Sequence, residues 1–149
     1  MGAVVRLLTD YVLRETAGLL ASMGGVMDGL IAWEVFRGNT AGFPHHLRGG
    51  EGYAAQDMVA DDFRRPVKVA EVAERAGMPH ETVRRHVGVL VEAGVCRRVS
   101  AGLIVPAEVF ARDNVRSAVF GNAANLRRLL AQLSALGVLQ LWDSERRAA

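Results

Sequence analysis
The sequence carries one cysteine, Cys96, in 149 residues. A lone thiol cannot close an internal bridge, so a disulfide scaffold is excluded and a reducing compartment is the expectation. Metal-ligand spacings are missing as well: the chain has no H-E-x-x-H and no C-x-x-C. Adjacent His45 and His46 would point to opposite sides of an extended segment and chelate poorly. No Gly-rich phosphate loop follows a strand, no paired-carboxylate spacing stands out, and Asp61-Asp62 reads as a solvated acidic pair. Cys96 has no base at a fixed spacing, because His86 lies across an expected helix end, so it reads as a buried structural thiol. The expectation is a non-enzyme with no catalytic residue, no metal and no cofactor.

Long apolar runs are also lacking. The most hydrophobic stretch, Ala17 to Phe36, is interrupted by Ser22, Gly24, Gly25, Asp28, Gly29 and Glu34, which suits a buried core helix better than a membrane span. The N-terminus has no positive start, short apolar block and small-residue cleavage site, so the chain reads as cytoplasmic, with no membrane partner. Aromatic residues are 6% of the chain. Trp33, Phe36 and Phe110 are therefore expected as core, with the lining of a small-molecule effector pocket as the alternative.

What is present is enough apolar residue, 50%, for one real core, and 23% charge. That excludes disorder over most of the chain and makes one domain with helical extensions the expectation. The net charge of +2 says little, but its distribution says more. Between residues 64 and 98, Arg64, Arg65, Lys68, Arg75, Arg84, Arg85, Arg97 and Arg98 face only Glu71, Glu74, Glu81 and Glu92. Such concentration is expected where one face meets a polyanion.

Four blocks follow along the chain. Residues 1–37 are helical, with Val5, Leu8, Val12, Leu19, Met23, Val26 and Leu30 at helical steps and a break at Gly24-Gly25. Residues 38–64 are rich in Gly, His and Asp and read as a loop, with a short helix near residues 54–60. In residues 65–106, Val69, Val72, Ala73 and Ala76 make one apolar stripe on a short helix that Gly77 stops. Pro79 is placed as the first residue of the next helix, and Glu81 is expected to reach back to the Met78 N–H as half a capping box rather than to read a base. That helix turns Val83, Val87 and Leu90 inward and ends at Gly94. Residues 95–99, 100–102 and 103–105 then read as strand, tight turn, strand. Pro106 and Glu108 repeat the Pro-x-Glu helix start at the head of residues 107–149. Val115, Val119, Asn122, Leu126, Leu129, Leu133 and Leu136 form a heptad seam with one polar member, and Gly121 allows a break into two helices.

The run Val69 to Val95, including Thr82-Val83-Arg84-Arg85-His86-Val87 and Leu90 followed by Glu-Ala-Gly and a hairpin, resembles the winged helix-turn-helix of bacterial transcriptional regulators. With helices before and after it, the layout is similar to MarR and related one-domain regulators. The resemblance covers under a third of the chain. It implies a mainly α fold with a small β-hairpin wing, flanked by N- and C-terminal helices. Two departures are visible: Met78 and Pro79 stand where the family usually caps the second helix with Ser or Thr, and the loop before Val67 is long.

A helix that reads DNA needs an apolar face anchored on its domain and a polar face free for the major groove. On the helix over residues 79–93, Arg85, Glu81 and Gly88 lie opposite the apolar face, with Arg84 and Thr82 flanking. Arginine forks to guanine, threonine meets a thymine methyl, and Gly88 permits close approach. The expected DNA-contacting set is Arg84, Arg85, Thr82, His80 and Gly88, with Arg97 and Arg98 on the hairpin for phosphate or the minor groove. Solvated arginines, a surface His80 and a core-edge His86 are the plainer readings. One such module on one half-site is poorly specific, so a homodimer on double-stranded DNA with two-fold symmetry is the expectation. The N- and C-terminal helices are expected to pack on each other and on a second chain, with Asn122 fixing register. The rival function is a winged-helix protein–protein interaction module without DNA binding.

Overall fold
The structure is a computed structural model, and it describes residues 2–42 and 60–140. The short helix expected near residues 54–60 falls outside them except for Ala60. Helix α1 spans Gly2–Met23 and α2 spans Val26–Thr40. They meet at 88° across Gly24-Gly25, the break expected from the glycine pair. A 3-10 turn at Asp61–Phe63 precedes α3, Val69–Ala76, and α4, His80–Glu92. Strands β1, Arg97–Val99, and β2, Gly102–Ile104, form an antiparallel hairpin with Arg98 opposite Leu103. A second 3-10 turn at Ala107–Ala111 leads into α5, Asp113–Ala135. The described residues are thus mainly helical with one small two-stranded sheet. No single helix among them is long and apolar enough to cross a membrane.

The core forms where α2, α3, α4 and the hairpin converge. Ile31 and Val35 from α2, Val72 from α3, Val83, Val87 and Leu90 from α4, and Leu103 and Val105 from the β2 side are buried together. Each such side chain contributes about 1.5–3 kcal/mol. Val67 adds a third, one-residue strand: its N–H and C=O exchange bonds with Leu103 at 3.0 and 2.8 Å.

The turn between α3 and α4 is made by Gly77, whose φ of +64° is the left-handed conformation that ends a helix cheaply only at glycine. Gly77 and Met78 N–H groups return to the last carbonyls of α3. This overturns two sequence expectations. The Met78 N–H donates to the Ala73 carbonyl at 3.0 Å, so it is not there for Glu81, and Pro79 caps α4 instead of opening it. Pro106 likewise precedes a 3-10 turn, and α5 starts at Asp113. The helix runs unbroken through Gly121.

Helix α2 extends three residues into the segment read as loop, and those residues matter. A Cβ on Gly38 would stand 2.8 Å from Val67 Cγ1, so only glycine lets α2 lie this close to the sheet. Asn39, fully buried, donates from Nδ2 to the carbonyls of Arg65 (2.8 Å) and Leu103 (2.9 Å) and accepts the Val105 N–H (2.9 Å).

Helix α5 runs antiparallel to α1. Asn114 donates to the Ser22 carbonyl (2.7 Å), and Asn125 (2.9 Å) and Asn122 donate to the Glu15 carboxylate. Asn122 therefore fixes register within one chain. Of the heptad seam, Val115, Leu129 and Leu133 are buried, whereas Val119, Leu126 and Leu136 face outward.

Candidate nucleic-acid interface
Helix α4 has two faces of opposite character. Val83 and Val87 are completely buried and Leu90 nearly so, which fixes the helix on the core. His86, half-buried, adds a polar tie: its Nδ1 lies 2.7 Å from Asp28 Oδ1 in the first turn of α2. The opposite face presents His80, Glu81, Arg84 and Arg85 to solvent, with Thr82 and Gly88 half-buried at its flanks. A Cβ at Gly88 would meet nothing within 4 Å among the described residues, so the absent side chain makes room for no contact there. Six of the α4 residues expected in the contact set or beside it thus share one outward face.

The charges on this face are not equivalent. Arg84 lies beside Glu81 in a two-pronged ion pair, with Nε–Oε2 at 2.8 Å and NH2–Oε1 at 2.5 Å. The guanidinium holds the Glu81 carboxyl below the usual carboxylate range, and the carboxylate raises Arg84 in return. Arg85 has no ion-pair partner among the described residues. Val89, which the sequence reading passed over, turns outward one turn beyond Arg85.

On the hairpin, Arg97 and Arg98 are both exposed, but they open β1. The tip itself is Ser100 and Ala101, which are uncharged. Arg97 donates to Asp61 Oδ2, and Asp61 Oδ1 accepts the Ala107 N–H at 2.8 Å. Asp61, read from sequence as a solvated acid, is therefore a junction between the 3-10 turn, the hairpin and the start of the C-terminal segment. No bond among the described residues joins the α4 set to the hairpin arginines.

The basic cluster over residues 64–98 is also reduced. Arg64 is buried, with its guanidinium carbon 5.6 Å from the Phe36 ring centre and NH1 donating to the Val105 carbonyl. Burial lowers its pKa from the ordinary arginine value. Arg65 pairs with Glu71, and Arg75 with Glu34 and Glu71. Lys68, Arg85 and Arg98 remain as cations with no ion pair among the described residues. Lys68, at the N-cap of α3, was not among the expected contact residues.

No protein-family model, curated protein or solved structure matches the chain.

The other candidates have plain structural roles. Trp33, Phe36 and Phe110 pack with ring centres 4.7–6.0 Å apart. The space beside them measures about 10 Å³, too little for a small-molecule effector. Cys96 is buried, which pushes its thiol up to about 12. Among the described residues no three His, Cys, Asp or Glu side chains are grouped to hold a metal ion.

Proposed function
We propose that the chain is a DNA-binding transcriptional regulator with a winged helix-turn-helix, in which α3 and α4 are the two helices and β1–β2 is the wing. The observation that carries this reading is α4. It is anchored by three buried apolar side chains and turns Arg85, Arg84, Glu81 and His80 outward together. A helix so mounted fits the major groove. Arg85, Arg84, Thr82 and His80 carry contacts there, Gly88 permits close approach, and Arg97 and Arg98 reach the backbone from the wing. Arg97 exchanges Asp61 for phosphate when it does so.

The protein acts as a homodimer on a two-fold operator. Val5, Leu8, Val12, Leu13 and Leu20 on α1 and Val119, Phe120, Leu126 and Leu130 on α5 are all at least two-fifths exposed. Exposed apolar side chains on both long helices are what a second copy would cover. That apolar surface is also the feature that favours the second reading, a protein–protein interaction module.

The deciding experiment is fluorescence anisotropy of a generic labelled duplex titrated with protein at low and moderate salt. A regulator binds with an affinity that falls steeply as salt rises, because phosphate contacts release counterions. Absence of binding at low salt overturns the DNA reading in favour of the interaction module.

A further inference from the structure
We infer that Glu81 is a base-reading residue that selects cytosine, with Arg84 as its positioning residue and Arg85 reading guanine beside it. This rests on the DNA-binding reading of α4 above.

Glu81 lies in the first turn of α4, the part of a recognition helix that reaches deepest into the groove. It does not cap its own helix, since α4 has no side-chain cap bond and the Met78 N–H is already used. Its only bonded partner among the described residues is Arg84, and the pair stands almost wholly in solvent, at 73% and 60% side-chain exposure. An ion pair so exposed contributes little to stability. What it does is fix the direction of the carboxylate.

A lone carboxylate is repelled by DNA phosphates, but this one carries a guanidinium across both oxygens. Each oxygen retains a second lone pair able to accept a hydrogen bond. The acceptor needs an amino group on a base edge, and the major groove offers two. Adenine sets its N7 acceptor beside the N6 amino group, where it would face the second carboxylate oxygen. Cytosine presents the N4 donor alone. Cytosine is therefore the better partner.

Arg85 follows Glu81 at i+4, on the same face and about 6 Å along the axis. Without an ion-pair partner among the described residues, its fork is open to guanine O6 and N7. At about 3.4 Å per base pair, the two residues address positions one to two pairs apart. The half-site should then hold a cytosine and a guanine at that spacing.

The test is selection from a randomised duplex library with the full chain and with Glu81→Ala and Glu81→Gln, followed by affinities on the selected duplexes. Wild type is expected to fix a cytosine within two pairs of a guanine. Glu81→Ala should lose roughly ten-fold of the discrimination at the cytosine while keeping the guanine. Glu81→Gln should turn that position toward adenine, whose N6 and N7 suit a carboxamide. Because Glu81 is exposed, both variants should melt like wild type. Salt-sensitive DNA binding with the same preferences in all three proteins overturns the role of Glu81 and leaves the DNA reading standing. If no protein binds any duplex at low salt, both fall together.

Discussion

Three residues show how differently polar groups behave in this chain. Asn39 satisfies three backbone groups in the interior, two carbonyls and one N–H. Asn39→Ala strands the Arg65 carbonyl and the Val105 N–H, while the Leu103 carbonyl keeps the Val67 N–H, so chemical denaturation should show a loss of about 2 kcal/mol or more, given roughly 1–3 kcal/mol for each buried group left unpaired. A loss below 1 kcal/mol would mean that water enters there. Cys96 behaves in the opposite sense. Burial raises its pKa from 9.0 to about 12, so the unfolded chain releases the thiol proton first. Above pH 9 the unfolded state therefore binds fewer protons than the folded one, and stability falls as pH rises toward 12 by up to about 1.4 kcal/mol per pH unit from this group. Comparing the pH dependence of unfolding in wild type and Cys96→Ala isolates that slope, which the variant should lack. Glu81 is the third. Its spacing to Met78 suggested a capping role, but the return of the α3 C-terminus had already taken the N–H, and Arg84 took the carboxylate.

At the scale of elements, the parts legible in the sequence are those set by local rules. The Val69, Val72, Ala73, Ala76 stripe with Gly77 behind it placed α3 and its stop, and Val83, Val87 and Leu90 gave the inward face of α4. The hairpin followed from two short β-rich runs about a tight turn. The missing parts depend on distant partners. Asn39 and Gly38 look like loop residues until Val67 and β2 lie against them. Asp61 looks solvated until Arg97 and the Ala107 N–H, tens of residues later, arrive beside it. Arg64 counts as surface charge until Phe36 and Phe110 enclose it. The candidate interface was legible as a helix face, because face and spacing coincide on a helix, but which of its arginines were already paired was not. Gly88 provides a test at this level. With open space at its Cβ position, Gly88→Ala should stabilise α4 by about 0.5–1 kcal/mol in thermal unfolding while weakening duplex binding. Equal or tighter binding would remove the close-approach role.

At the scale of the molecule, a small core unit carries two long helices that leave apolar side chains exposed among charged ones. Helices α1 and α5 satisfy each other through Glu15, Asn122, Asn125 and Asn114, yet leave Val5, Leu8, Val12, Leu126 and Leu130 exposed. On the proposed DNA-binding reading, a second copy would cover that surface and supply the second reading head that a two-fold site requires. Val12→Asp should convert a dimer into a monomer in sedimentation velocity. Binding to a two-fold duplex should drop about 100-fold, because the second contact is no longer intramolecular, while a half-site is bound as before. A wild-type protein that sediments as a monomer at tens of micromolar would contradict the dimer.

The central claim is that the outward face of α4 meets DNA, and Arg85 tests it most directly. Wild type and Arg85→Ala should be titrated side by side, at one salt concentration, against a duplex selected by the wild-type protein. If Arg85 reads a base, the variant binds more weakly by about 1–3 kcal/mol and discriminates less at one position. Unchanged affinity and unchanged selectivity would contradict the assignment of that face.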